Sequence, residues 1–186
     1  MRVIAGECKG RPLKSVRGQL TRPTTDKVKE TIFNMIGPFF DGGQALDLYS
    51  GSGGLGIEAL SRGISHAIFI DRYGPAISTI KKNIQLCKLE SRAEVYRNDV
   101  SRALSILGKK QARFRLIFMD PPYARQQIVK DIESIIYHRL LEEDGKIIVE
   151  HEDTVCLPGE FNDALIRVKH HTYHGKTAVS IYEKQK

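Results

Sequence analysis

Ala45-Leu46-Asp47-Leu48-Tyr49-Ser50-Gly51-Ser52-Gly53-Gly54-Leu55-Gly56 is the stretch on which the fold turns. A strand-forming run, Ala45–Tyr49, passes straight into a turn, and an apolar helical run begins at Leu55. Gly51, Gly53 and Gly56 satisfy the pattern G-x-G-x-x-G. In a strand–turn–helix unit those glycines allow a tight turn, a close backbone approach to a ligand and close packing of helix on strand.

Outward from this unit the chain alternates. Further strands are expected at Ala67–Asp71, Ala93–Asn98, Leu116–Asp120 and Lys146–Glu150. Helices are expected at Leu55–Ser61, Pro75–Leu86, Val100–Leu107 and Ile128–Leu141. Two last strands, Ala164–Lys169 and Ala178–Glu183, meet at a turn near His174-Gly175 with no helix between them. Repeated βα units followed by a hairpin predict an α/β fold, a mostly parallel doubly wound sheet with an antiparallel C-terminal hairpin. That is the strand plan of Rossmann-like class I methyltransferases. A dinucleotide dehydrogenase would more often continue with parallel units.

Upstream, Arg2–Ala5 and Arg11–Ser15 read as a short extended pair. Thr24 or Thr25 is suited to cap a helix on which Val28, Ile32, Met35 and Ile36 share one face, and Gly37-Pro38 stops it. Residues 1–36 carry eight Lys/Arg against three acids, a net +5 of the chain's total +7. The chain is therefore divided into a basic N-terminal hairpin and helix (1–36) and a catalytic domain (37–186). Lys9, Arg11, Lys14 and Arg17 are candidates for contacts to nucleic-acid phosphates, set against the plainer reading of a solvated basic face.

With 186 residues, the chain is the size of one α/β domain with a small extension. The longest apolar runs are far below the roughly 20 residues that cross a membrane, and no signal-peptide core is present. Cys8, Cys87 and Cys156 fit neither a disulfide framework nor a zinc site. A cytoplasmic protein is expected. His170, His171 and His174 do not make a metal site either, because adjacent strand residues point to opposite faces; no metal is expected.

The glycine turn alone does not separate two adenosine-bearing ligands, a dinucleotide and S-adenosyl-L-methionine. Asp71 ends the second strand, where an acid accepts ribose hydroxyls from either, with Arg72 beside it. Asp47 shifts the balance. Four residues ahead of the turn, its carboxylate suits the ammonium of a methionine moiety and would repel a pyrophosphate. Asn98-Asp99 ends the third strand, where an amide and a carboxylate can meet the adenine amine, although Asp99 could equally be a helix cap. Tyr49, Gly51, Ser52 and Gly53 complete the expected cofactor contacts, and S-adenosyl-L-methionine is the expected cofactor.

The fourth strand ends Asp120-Pro121-Pro122-Tyr123. An exocyclic amine on a base is a poor nucleophile because its lone pair is delocalised into the ring. The Asp120 carboxylate and the Pro121 carbonyl can accept its two N–H bonds and aim the lone pair at a methyl group. The paired prolines hold the turn rigid, as methyl transfer over a short distance requires. Tyr123 offers a flat face for a base drawn out of its stack.

The residues also resemble a family. Arg2-Val3-Ile4-Ala5-Gly6, Lys9-Gly10-Arg11, the block Arg22-Pro23-Thr24-Thr25-Asp26-Lys27-Val28-Lys29-Glu30-Thr31-Ile32-Phe33-Asn34, the glycine turn and Asp120-Pro121-Pro122-Tyr123 are similar to bacterial methyltransferases that modify N2 of a guanine in small-subunit (16S) ribosomal RNA. The Arg-Pro-Thr-Thr-Asp block is the most specific of these. The resemblance implies that Arg22–Asn34, with Arg22 and Thr24, close over the methionine end of the cofactor. It also implies that the basic hairpin meets ribosomal RNA, in the small subunit or its precursor. Guanine rests on the resemblance alone, since Asp-Pro-Pro-Tyr also serves DNA adenine-N6 enzymes. Those usually carry a sizeable target-recognition insertion, for which 186 residues leave no room. A non-catalytic RNA-binding assembly factor and an NAD oxidoreductase are the other rivals, opposed by Asp120 and Asp47 respectively.

Overall fold

The computed structural model describes residues 1–18, 25–122, 125–173 and 176–186. One eight-stranded sheet carries the fold, with strands β1 (Gln44–Leu48), β2 (His66–Asp71), β3 (Ala93–Arg97), β4 (Phe114–Met119), β5 (Leu141–Glu152), β6 (Glu160–Phe161), β7 (Leu165–Tyr173) and β8 (Thr177–Lys184). Their spatial order is β3-β2-β1-β4-β5-β8-β7-β6. The first five pair in parallel; β8, β7 and β6 are antiparallel. Strand order reverses between β1 and β4, and that switch point opens a crevice at the carboxyl ends of the strands.

The helices are α1 (Asp26–Ile36), α2 (Gly54–Ser61), α3 (Gly74–Leu86), α4 (Val100–Lys109) and α5 (Arg125–Tyr137). The central strands alternate between two apolar layers. Ala45, Phe69, Phe118 and Ile148 face α1, α2 and α3, whereas Leu46, Ile70, Ile117 and Val149 face α4 and α5. Val3, Cys8, Leu13, Val28, Ile32 and Phe33 belong to the first layer, so residues before 37 share the core of the domain.

The expected elements are present with differences at several boundaries; the strand expected over Ala164–Lys169, for one, runs on to Tyr173. The helix expected over Ile128–Leu141 runs from Arg125 to Tyr137, and Leu141 already starts β5. Arg139 takes the left-handed conformation (φ 53°), while Leu140 N–H donates to Ile135 O (3.1 Å) and Arg139 N–H to Ile136 O (3.0 Å). That crossed pair of bonds is a Schellman ending built without glycine. The N-terminal pair is a single bridge, Arg2 with Pro12, extended by Val3 N–H to Arg11 O and Gly10 N–H to Val3 O. A short strand, β6, was not expected. The turn placed near His174-Gly175 lies outside the described residues. Thr25 caps α1, its Oγ1 accepting from Val28 N–H at 3.3 Å, and the helix ends at Gly37 as expected.

Candidate active site

A cleft of about 1310 Å³ opens at the carboxyl ends of β1, β2, β4 and β5. Asp47, Tyr49, Gly51, Ser52, Asp71, Arg72, Asn98, Asp99, Asp120, Pro121 and Pro122 all line it. Gly53 is not among the lining residues, but the other described residues expected from three separate motifs are brought to one cavity. Arg22, Thr24 and Tyr123 lie outside the described residues.

The turn after β1 is held open by its own chemistry. Gly51 and Gly53 have φ of 58° and 80°, a region that side chains disfavour. Gly56 answers a different need, since a Cβ there would stand 2.4 Å from the Phe69 ring and 3.0 Å from Asp47 Oδ2. Its absence lets α2 settle against β1 and β2. Asp47, 3% exposed, accepts from Gly56 N–H at 2.9 Å. Burial outweighs that bond and, with a smaller push from Asp71, raises the Asp47 pKa to about 8. The side chain stands ready for a cation that would restore its charge.

Asp71 arranges both oxygens around the same turn. Oδ2 accepts from Gly51 N–H and Oδ1 from Tyr73 N–H, each at 2.9 Å. Asp99 caps α4 by accepting from Arg102 N–H at 3.3 Å, and its own N–H donates to Asn98 Oδ1 at 2.9 Å. The helix-cap alternative is therefore realised, in a residue that still borders the cleft. Tyr49 adopts φ 56° and donates its hydroxyl to Asp131 Oδ2, with Gln127 Nε2 donating to Oδ1 at 2.8 Å.

Asp120 leaves β4 half-buried on the cleft floor, followed by buried Pro121. Burial raises its pKa well above the carboxylate range, and the charges of Glu150 and then Asp47 push it further. Registers Asp47↔Phe118 and Phe118↔Ile148 put Asp47 and Glu150 on the same face of the sheet, and Asp120, directly after β4, borders the same cleft.

Of the basic candidates, Lys9, Lys14 and Arg17 are exposed, whereas an Arg11 guanidinium nitrogen donates to Leu86 O. Lys29, counted in the net charge of residues 1–36, is wholly buried. Its Nζ lies 3.4 Å from Glu58 Oε2, and Glu58 also takes Arg62 Nε at 2.8 Å and the backbone N–H groups of Ile4 and Ala5. Sequence reading also missed Asn83. Wholly buried on α3, it accepts from Lys14 N–H (2.8 Å) and donates to Lys14 O (3.0 Å) and Ser52 O (2.9 Å), tying the basic segment to the glycine turn. An Asn inside a helix gives no such signal without the partner in view.

His170 and His171 do not share a partner. His170 Nδ1 lies 3.0 Å from Ser180 Oγ, and the His171 ring packs edge-on to Tyr173. Among the described residues no group of three or more His, Cys, Asp or Glu side chains is arranged to hold a metal ion, and no helix is long and apolar enough to cross a membrane.

A doubly wound sheet closed by an antiparallel β8–β7 pair, with its cleft at the switch point, defines a Rossmann-like methyltransferase fold. More narrowly, the chain belongs to the family described as conserved hypothetical protein 95, whose model matches residues 1–183. It is 55% identical, over 100% of both chains, to the Bacillus subtilis protein named "Putative rRNA methyltransferase YlbH". It is 33% identical to the Escherichia coli ribosomal RNA small subunit methyltransferase D, over 100% of this chain and 90% of that one. The solved structure of the Escherichia coli "Putative methyltransferase yhhF" superposes with a TM-score of 0.84 at 32% identity, covering 100% of this chain and 98% of the other.

Proposed function

We propose that the protein transfers a methyl group from S-adenosyl-L-methionine to the exocyclic N2 of a guanine in 16S ribosomal RNA, within the small subunit or its precursor. The observation that carries this reading is the meeting, in one cleft, of the Asp47 glycine turn with Asp120-Pro121-Pro122. The names of the relatives support ribosomal RNA as the substrate, and such a substrate puts the enzyme in the cytoplasm.

The residues fit the cofactor. Asp47 would face its ammonium, Asp71 its ribose hydroxyls, and Asn98 and Asp99 its adenine. When bound, S-adenosyl-L-methionine supplies a methyl group on a sulfonium that leaves readily. The protein's part is to present the amine. Asp120 and the Pro121 carbonyl accept its N–H bonds, so that the nitrogen lone pair points at the methyl carbon. As the methyl carbon would pass from sulfur to the nitrogen, the proton that the amine sheds would go to the Asp120 carboxylate. Nucleoside mass spectrometry of 16S ribosomal RNA from cells with and without the gene tests the reading. N2-methylguanosine should fall by one residue per subunit, and purified protein with S-adenosyl-L-methionine should restore it. An unchanged modification profile would refute it.

The pH dependence of cofactor binding follows from Asp47. Its ligand-free pKa is about 8, so below that pH a bound ammonium must expel the carboxyl proton. Affinity should rise with pH, approaching tenfold per unit well below 8. It should fall again once the ligand's own amino group, with an ordinary pKa of ~7.7–8.0, loses its charge. Calorimetry at pH 6.5 in buffers of different ionisation enthalpy should register close to one proton released, and Asp47→Asn should abolish the release. Binding that is flat between pH 6 and 8 would contradict the role given to Asp47.

For the RNA surface, Lys9, Lys14 and Arg17 are exposed, and Lys14 and Arg17 flank Ser15 and Val16, which border the cleft. Replacing all three with Ala should weaken binding to every RNA sequence alike, because phosphate contacts position without specifying. The log–log salt slope should flatten by about 0.7–0.9 for each phosphate that is no longer neutralised. Filter binding across a salt series measures this. An unaltered slope would make the charge a solvated face.

A further inference from the structure

We propose that Glu150 reads the target base, its carboxylate accepting the N1–H of guanine while Asp120 takes the adjacent N2 amine. This rests on the guanine-N2 reading above and assigns the residue that makes the choice. β4 and β5 pair in parallel through Phe118↔Ile148 and Met119↔Val149; Glu150 is the next residue on β5, and Asp120 is the residue that directly follows β4. Side chains alternate along a strand, so Glu150 follows Ile148 onto one face of β5, and Asp120, just past the end of β4, borders the same cleft. Phe118 and Ile148 pack in the same apolar layer, which fixes that face. Neighbouring strands run about 4.8 Å apart, so one base can engage both carboxyl groups. Both border the cleft, and Glu150 is only 9% exposed. After burial, the Glu150 charge is the largest influence raising the Asp120 pKa, which places the two groups within electrostatic reach.

The chemistry of the bases supplies the selectivity. An ionised carboxylate accepts hydrogen bonds and donates none. On guanine, the exocyclic amine stands between N3, which carries a lone pair, and N1, which carries a hydrogen, so on the N1 side two donors stand side by side. On adenine and cytosine the ring nitrogen beside the amine carries a lone pair. Presented to Asp120 by its amine, either base would turn that lone pair toward Glu150, where repulsion and a missing hydrogen bond oppose it. Guanine alone meets two acceptors with two donors. Across the sheet, Asp47 on β1, Asp120 just after β4 and Glu150 on β5 would then serve the ammonium, the amine and N1–H in turn.

The test uses 2-aminopurine, which keeps the amine but has a lone pair at N1. Once the methylated nucleotide is mapped, small subunits are reconstituted around RNA ligated to carry guanine or 2-aminopurine at that position. The ratio of kcat/KM for the two substrates is then measured in wild type, Glu150→Gln and Glu150→Ala. A ratio within one protein sample is unaffected by any misfolded fraction. Wild type should favour guanine by about 100-fold or more, as sites built to pair a specific hydrogen do. Both variants should cut that preference about tenfold or more. A ratio retained in both overturns the role of Glu150 and leaves the guanine-N2 reading standing. A wild-type enzyme that forms no N2-methylguanine overturns both.

Discussion

Asp120→Asn should lower the single-turnover rate of methyl transfer by about 10²–10³-fold, the range for removing one preorganised polar group aimed at transition-state charge. Cofactor affinity should stay near wild type, because Asp120 is assigned to the amine and not to the ligand that Asp47 and Asp71 face. The loss should fall on kcat more than on KM. An acceptor becomes more valuable as the nitrogen turns tetrahedral and its hydrogens become more acidic, so its contribution belongs to the transition state. Asn keeps the volume and one acceptor oxygen but loses the charge.

The same residue predicts a pH signature. Burial, Glu150 and Asp47 all raise the Asp120 pKa, so in the free enzyme its proton is lost only well above the usual carboxylate range. An ionised carboxylate accepts more strongly than the protonated acid, whose hydroxyl is a donor, so the wild-type rate should increase with pH as Asp120 gives up that proton. Asp120→Asn should lack this rising limb. Rapid-quench measurements over a pH series decide the matter. A variant with near-wild-type rates, or with the same ascending limb, would remove Asp120 from the chemistry.

How much of this could be read from the sequence depended on the range of the interactions. Gly51, Gly53 and Gly56 declare a strand-to-helix turn because each answers a local demand of backbone angle or approach. The pair Pro121-Pro122 likewise fixes its own geometry and marks the end of β4. The end of α5 was hidden for the opposite reason. Apolar spacing continues through Leu140 and Leu141, and Arg139 enters the left-handed region where no glycine announces it. Glu150 was passed over because one glutamate ending an apolar strand looks like a strand terminator. Only the pairing of β5 with β4 reveals its neighbour. Lys29 adds to the charge count of residues 1–36 without adding to a basic surface, because its partner, Glu58, lies on another element and far along the chain. Charge can be counted in a sequence, but whether water or a carboxylate compensates it is decided by the fold.

Glu58→Ala should be the most destabilising single change outside the cleft. Glu58 is wholly buried on α2 between Lys29 of α1 and Arg62, themselves 0% and 4% exposed. It also accepts from the N–H groups of Ile4 (3.0 Å) and Ala5 (3.1 Å), so one carboxylate fastens α1 and the N-terminal segment to the domain. Removing it leaves two backbone donors without their acceptor and two buried cations without a counter-ion, with Lys29 still donating to Arg2 O and Arg62 to Pro38 O. Breaking a buried pair costs about 3–5 kcal/mol, because the surviving charge keeps its desolvation penalty. At about 2–4 °C per kcal/mol for a chain of this size, Tm should fall by roughly 6–20 °C. The loss should shrink at alkaline pH. Burial already lowers the Lys29 pKa below 10.5, and Glu58 is the main influence holding it up. Without Glu58 that value drops further, so the unfolded chain holds more protons than the folded one up to about 10.5, and stability rises with pH across that window. Arg62 stays charged, so recovery should be partial. Urea unfolding of Glu58→Ala and wild type at pH 7.5 and 9.5 measures both effects. A loss below about 1 kcal/mol, in the range of exposed ion pairs, would mean that water reaches the triad and that α1 is held by its apolar face alone.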